Sequence, residues 1–254
     1  MSHPSAGRIC KLVKQSYEDP RVVAEYRQVG LWPAEKTLIE RFVPPGGRLL
    51  DLGCGAGRTS IPLAQMGFQV LGGDISKAMV DAARMQARRA RVQVDFEEMD
   101  ALQLDLLPAT FDAILFLYNG LELMPGRIGK AQVLQAVHRL LKPGGVFIFS
   151  AHSLYAFNIY ALFRLLSLGK MALGRLARLP FIERELGERF APEQEAPYLQ
   201  ILPPGSWFKL LQQQGFERVY FNTRSRLEQG RDWGIGGHWE DGERFFVGRQ
   251  SSAG

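Results

Sequence analysis

Residues 49–60 read LLDLGCGAGRTS, an apolar run that meets an acid and then breaks into glycines at alternate positions, Gly53, Gly55 and Gly57. A buried strand that turns sharply into a helix requires this spacing. Gly53 permits the tight turn, Gly55 lets a ligand lie against bare backbone, and Gly57 lets the helix start close to the strand. The same alternation continues along the chain. RLLDL (48–52), FQVLGGD (68–74), VQVDFEEMD (92–100), FDAILFLYN (111–119) and VFIFSAH (146–152) read as strands. Between them, TSIPLAQMG (59–67), with Gly67 as its C-cap, and KAMVDAARMQARRA (77–90), capped by Ser76, read as helices. Met79, Ala82, Ala83 and Met85 are expected on the inward face of the second helix. A third, GKAQVLQAVHRLLKPGG (129–145), is expected to close at Lys142, Pro143 and Gly144. The strands are mostly continuous apolar runs, the pattern of a parallel sheet covered by helices on both faces. Strand and helix alternating through short turns give a doubly wound α/β fold.

Beyond residue 152 the rhythm breaks. Positions 153–203 read as a helical insertion rich in Leu, Arg and Phe; PPGSWFKLLQQQGFERVYFNT (203–223) restores helix and strand, and RFFVGR (244–249) supplies one more strand. A long loop with Gly230, Trp233, Gly234, Gly236, Gly237 and Trp239 joins those last two strands. The expected organisation is an N-terminal helical cap (1–44), a ligand-binding domain (45–152 and 204–250) and the insertion (153–203).

Composition excludes several classes. With 46% hydrophobic and 22% charged residues the chain can pack a core. The formal charge of +5 is dispersed and does not demand nucleic acid. Arg84, Arg88, Arg89 and Arg91 read as a solvated helix face, because no aromatic residues interleave with them. Cys10 and Cys54 are the only cysteines, too few for a zinc site, and read as free thiols of a reducing, cytoplasmic compartment. The first residues, MSHPSAGRICKLVKQ, lack the apolar core of a secretory signal. The most apolar stretch, 154–181, is interrupted by Arg164, Lys170, Arg175 and Arg178, which argues against a membrane span.

The glycine turn does not suit a pyrophosphate. The dinucleotide fingerprint G-x-G-x-x-G would need glycine at 58, where Arg58 stands, and the G-K-[ST] of a P-loop is absent. The acid in D-x-G-x-G-x-G, Asp51, suits a cationic group such as an α-ammonium. Asp74, ending the second strand, can accept from a ribose diol. Asp100 and Ala101, ending the third, can pair with an adenine edge. An adenosine with an amino-acid tail and no phosphate is S-adenosylmethionine.

On these residues the sequence resembles the class I S-adenosylmethionine-dependent methyltransferases. LLDLGCGAG, VLGGDIS (70–76), MDALQL (99–104), FDAILFLYNG (111–120) and LLKPGGVFIFS (140–150) are similar to that family's successive motifs, over about 35–152 and again 203–250. The resemblance implies a Rossmann-like seven-stranded sheet, mostly parallel, with RFFVGR as an antiparallel last strand. It implies a cofactor site of Asp51, Gly53, Cys54, Gly55, Gly57, Asp74, Ile75, Asp100, Ala101, Tyr118 and Asn119. It places Tyr118 and Asn119 near the methyl group and suggests that the N-terminal helices close over the cofactor, with Tyr17 or Tyr26 toward the sulfonium or the acceptor.

Methyl transfer from a sulfonium is an in-line displacement that chiefly needs alignment, with a base only where the acceptor loses a proton. Tyr118 and His152 are the candidate catalytic residues; Tyr26, Asn119, Glu122 and His152 are candidates for the acceptor site. His152 either faces the cleft or packs against the insertion. LYNG at the fourth strand departs from the [DN]PP[YF] of enzymes acting on exocyclic amines of nucleic-acid bases, which weighs against those substrates. No metal is expected. The insertion reads as an apolar substrate lid, a packing element or, through 154–181, a membrane-surface contact. The leading reading is methylation of a small, partly apolar acceptor at O, N or C. A protein or RNA methyltransferase, and a cofactor-binding interaction protein without turnover, remain open.

Overall fold

The computed structural model describes residues 4–154, 187–190, 196–234 and 242–251, with Gly169, Glu185 and Glu240 as single positions. Seven strands form one sheet: β1 (Arg48–Leu52), β2 (Gln69–Asp74), β3 (Asp95–Glu98), β4 (Phe111–Phe116), β5 (Leu141–His152), β8 (Phe216–Thr223) and β9 (Glu243–Gln250). Their order is β3-β2-β1-β4-β5-β9-β8, and β9 alone runs antiparallel to the other six. The order reverses between β1 and β4, and at such a switch point the strands' carboxyl ends open a crevice for ligand.

The buried strands follow the apolar runs. Leu49, Leu50 and Leu52 of β1 and the whole of Ala113–Phe116 in β4 are buried, as continuous burial on both faces demands. One face packs on α6 (Gly126–Leu140) and α7 (Pro204–Gln213) through Phe147, Phe149, Trp207 and Phe246. The other packs on α3 (Pro33–Phe42) and α4 (Ser60–Gln65) through Leu38, Leu49, Leu115 and Ile148. Ahead of α3, α1 (Ala6–Tyr17) and α2 (Pro20–Tyr26) lie against the carboxyl-end side. Tyr17, Val22, Val23 and Tyr26 pack there on Ala56, Met79 and Ala82.

Several expectations change. In α5 (Lys77–Ala90) the Ser76 hydroxyl accepts from the Met79 N–H as expected, but Met85 is exposed; Val80 and Ala87 hold the inward positions with Met79, Ala82 and Ala83. Met85 is apolar but out of phase with that stripe. β3 is shorter than 92–100, and β4 stops at Phe116 because Tyr118 and Asn119 turn left-handed. α6 spans Gly126–Leu140 rather than 129–145. Leu141 is already extended and pairs with Phe111, so Lys142, Pro143 and Gly144 sit in an irregular stretch of β5, not in a helix cap. Within 153–203, expected to be helical, Glu188–Phe190 (β6) and Tyr198–Gln200 (β7) form an antiparallel pair. Residues 155–168 and 170–184, which carry most of the helical, lid and membrane-surface expectations, lie outside the described residues, as do Gly236, Gly237 and Trp239. The loop after β8 contains the short helix α8 (Arg224–Glu228). No described helix is long and apolar enough to cross a membrane.

Candidate active site

A cavity of about 780 Å³, counted with the space at its mouth, opens at the carboxyl ends of β1, β2 and β4. Gly53 and Gly55 of the glycine turn form part of its wall, Asp74 and Ile75 another part, and Asp100 and Ala101 a third, as the sequence places them. Tyr17 and Tyr26 of the cap, with Tyr118, close it from the side. Gly53 (φ 63°) and Gly55 (φ 54°) are left-handed. A Cβ on Gly53 would meet the Phe116 ring at 2.9 Å, and one on Gly55 would meet Tyr26 at 3.2 Å, so the close approach of ring to backbone depends on glycine. Cys54 and Gly57 do not line the cavity. Cys54 is buried, with its N–H donated to the Gly73 carbonyl; a Cβ on Gly57 would strike Ile61 at 2.9 Å, which makes Gly57 a packing residue between α4 and α5.

The wall is acidic. Among the described lining residues are two carboxylates and no Lys or Arg, a donor set suited to a cationic, phosphate-free ligand. Asp74 Oδ2 accepts from the Gly55 N–H (2.9 Å) and Oδ1 from the Ser76 N–H (2.9 Å), and each oxygen keeps a lone pair for a further donor. Burial pushes the Asp74 carboxyl up to about 6, against the pull of those two amides. Asp51 lies beneath the turn rather than on the cavity wall, 2% exposed. Its Oδ2 accepts from the Ser60 hydroxyl at 2.6 Å, while Oδ1 takes no hydrogen bond from a described residue. Burial raises Asp51 to about 7, partly offset by Ser60 and by Arg58. A buried carboxylate held this far up is stabilised by an arriving cation. Asp100 Oδ1 accepts from the Leu102 N–H at 2.9 Å and so shapes its own turn. Cys10 of α1, which the sequence did not mark as a site residue, lines the cavity; burial, then Asp100, raises its thiol pKa.

Beside the cavity, Tyr118 (φ 56°) and Asn119 (φ 63°) are consecutive left-handed residues, an uncommon conformation without glycine that recurs at functional sites. The Asn119 N–H is fixed by the Ser150 hydroxyl at 3.0 Å. The 3-10 turn Gly120–Leu123 then places Glu122, fully buried, under His152 at the end of β5. Glu122 Oε1 accepts from the His152 N–H (3.0 Å), and Oε2 lies 2.5 Å from His152 Nδ1. Burial opposes the imidazolium, but the charge and hydrogen bond of Glu122 outweigh it and raise the His152 pKa. With Nδ1–H given to Glu122, Nε2 carries the lone pair, 3.3 Å from Asn119 Nδ2. Asn119 Oδ1 is buried without a hydrogen-bond partner. Asn119, Glu122 and His152 thus form one group, separate from the described cavity wall but flanked by Tyr118 and Gly120, which belong to it.

Two further buried groups escaped the sequence reading. Arg58 pairs with Glu35 of α3, both shielded from solvent. Lys130 of α6 donates to the Met124 carbonyl at 2.8 Å beneath the 3-10 turn, and burial lowers it to about 7 despite Glu122, Glu185 and Glu188. Both contacts bridge segments that no local periodicity connects. No described cluster of His, Cys, Asp or Glu could hold a metal ion.

Comparison with known proteins places this geometry. Residues 49–145 match the model of a methyltransferase domain family. The chain is 29% identical over 174 residues to a ubiquinone biosynthesis O-methyltransferase of Ruegeria pomeroyi, covering 68% of this chain and 61% of that protein. It is 38% identical over 107 residues to one from Pseudomonas aeruginosa, covering 42% and 44%. The chain therefore spans roughly half the length of these curated relatives. The fold is similar to the crystal structure of Burkholderia thailandensis 1,6-didemethyltoxoflavin-N1-methyltransferase with 1,6-didemethyltoxoflavin and S-adenosylhomocysteine bound. The TM-score is 0.66 at 16% identity, covering 99% of this chain and 93% of that one. At that identity the likeness is one of fold.

Proposed function

We propose that this chain is a class I S-adenosylmethionine-dependent methyltransferase and that it methylates a small-molecule acceptor at an oxygen or nitrogen that gives up a proton to His152. The observation that carries this reading is the Asn119–Glu122–His152 group. A buried carboxylate holds the imidazole Nδ1 with one oxygen and the His152 main-chain N–H with the other, and an unpartnered Asn119 Oδ1 beside it can accept from an incoming O–H or N–H. Glu122 orients the ring and stabilises the imidazolium that forms. The relatives' names describe an O-methyltransferase and an N1-methyltransferase, both heteroatom acceptors.

Bound S-adenosylmethionine would supply the activated methyl group. The Gly53–Gly55 backbone fits its amino-acid end, with the Asp51 carboxylate buried beneath that turn as the nearby negative charge; the two remaining lone pairs of Asp74 beside Ile75 fit a ribose diol, and Asp100 with Ala101 fits the adenine. Tyr26 and Tyr118 exclude water from the side. The acidic wall, with no Lys or Arg among its described residues, supports a cation over a nucleotide phosphate.

The test is a screen of cell extract with methyl-labelled S-adenosylmethionine. The wild type should label a small-molecule fraction. His152→Ala should cut that label by about 10²–10⁴-fold, the range for a lost general base, and leave S-adenosylhomocysteine affinity unchanged. Undiminished labelling by His152→Ala would remove the base. Label appearing only in protein or RNA would favour the macromolecular reading, and binding without any label the non-catalytic one.

A further inference from the structure

Arg58 stands where a dinucleotide fingerprint would have glycine, and its side chain is 4% exposed. From the first turn after the glycines it reaches back to the cap. Nη1 donates to the Gly30 carbonyl (2.8 Å) and to Glu35 Oε2 (3.0 Å), and Nη2 donates to Glu35 Oε1. Glu35 in turn accepts from the Trp32 N–H at 2.8 Å, which closes the N-terminus of α3. The guanidinium carbon lies 4.8 Å from the Tyr118 ring centroid and 5.1 Å from that of Trp32, and the two rings are 5.1 Å apart. Tyr26 meets the Tyr118 ring edge-on at 5.5 Å.

A fully buried ion pair adds little net stability over an apolar replacement, so its weight lies in the geometry it imposes. The planar fork fixes the guanidinium plane, and that plane orients the Tyr118 ring; the Trp32 ring lies between it and the Arg224 guanidinium, whose carbon is 3.7 Å from the Trp32 centroid. Tyr118 requires such fixing. Its left-handed backbone persists only where surroundings over-determine it, and Arg58, Trp32 and Tyr26 are among those surroundings. Of these three, Trp32 and Tyr26 belong to the N-terminal segment ahead of β1. We propose that Arg58 is a positioning residue that locks the cap segment Gly30–Glu35 to Tyr118, so that docking of the cap and formation of the Tyr118 wall of the cofactor cavity are a single event. This goes beyond the methyl-transfer reading and rests only on its cofactor cavity.

The probe is S-adenosylhomocysteine, followed by calorimetry on the full chain. Arg58→Lys keeps the charge but loses the fork, and should weaken binding about tenfold or more. Tyr118→Leu should do the same. The combined variant should bind no worse than the weaker single variant within about twofold, because both remove one unit. Arg58→Met with Glu35→Met removes the whole ion pair without stranding a charge, while giving up the contacts to the Trp32 N–H and the Gly30 carbonyl; it should still unfold in one cooperative transition yet bind as weakly as Arg58→Lys. Amide exchange over residues 17–32 should slow on ligand addition in the wild type and not in that pair variant. Wild-type affinity in Arg58→Lys, losses that multiply in the combined variant, or recovered affinity in the methionine pair would each overturn the proposal. A wild type that binds no S-adenosylhomocysteine would instead sink the cofactor assignment of the cavity and the proposal with it.

Discussion

Asp51→Asn separates an electrostatic role for this side chain from a merely structural one. The substitution is isosteric, and its carboxamide oxygen can still accept from the Ser60 hydroxyl. Burial lifts the wild-type carboxyl from 3.8 to about 7. At about 1.4 kcal/mol per unit, three units disfavour the ionised form by about 4 kcal/mol, an upper bound for one group. The folded state holds the proton more tightly than the unfolded state. Its contribution is therefore fully present below pH 4 and is lost as pH rises through about 7. Free Asp51→Asn should gain on the wild type over that window, ending more stable at pH 8 by up to about 4 kcal/mol. Asp74 is raised in the same direction, and the comparison cancels it because both proteins retain it. Ligand reverses the order. An α-ammonium favours the ionised carboxylate, so the variant should bind S-adenosylhomocysteine about 10–100-fold more weakly, the scale of a charge-assisted hydrogen bond. Wild-type binding near pH 7 should also release a fraction of a proton. Urea unfolding from pH 4 to 8, and calorimetry in phosphate and in Tris, measure both. If the variant is less stable at pH 8 and binds the ligand as tightly as the wild type, Asp51 serves only to hold Ser60.

Glu122→Gln removes the charge that raises His152, so the imidazole should titrate lower than in the wild type, read from its ring proton resonances; an unmoved titration would deny the pairing. Lys130 is lowered to about 7, so the wild type should gain stability as pH rises from 7 toward 10.5. Lys130→Met should abolish that rise in urea unfolding, and an equal slope in both proteins would place the lysine's charge in water. Gly57→Ala puts a Cβ 2.9 Å from Ile61 at φ 86° and should cost about 1–3 kcal/mol of thermal stability. S-adenosylhomocysteine affinity should stay within a few-fold, because Gly57 is not on the cavity wall; a large affinity loss would assign it to the ligand.

What was legible in the sequence is what a local pattern can encode. Leu49–Leu52 and Ala113–Phe116 are buried on both faces, so each apolar run marks a strand without needing to know its neighbour. The glycine turn and Asp74, which ends β2, are fixed by backbone chemistry at a strand's carboxyl end, and Asp100 lies in the turn just past β3. Met85 shows the limit of composition, since hydrophobicity without helical phase put it in the core. The β6–β7 pair carries Glu188 and Arg189 in strands only three residues long, too short for any periodic signal to register. The contacts on which the chemistry turns were the least visible. Glu122 and His152 are 30 positions apart, and Glu35 and Arg58 are 23 apart. Each residue could be named as polar and near a strand end, but only the sheet order sets β5 beside β4 and so brings the 3-10 turn under His152. The consequence is physical. The strand ends that line the cavity are specified locally, whereas the Asn119–Glu122–His152 group and the Arg58–Glu35 pair depend on pairing at long range. A substitution in the first set should be felt as lost binding, and one in the second as lost coupling between parts that still fold.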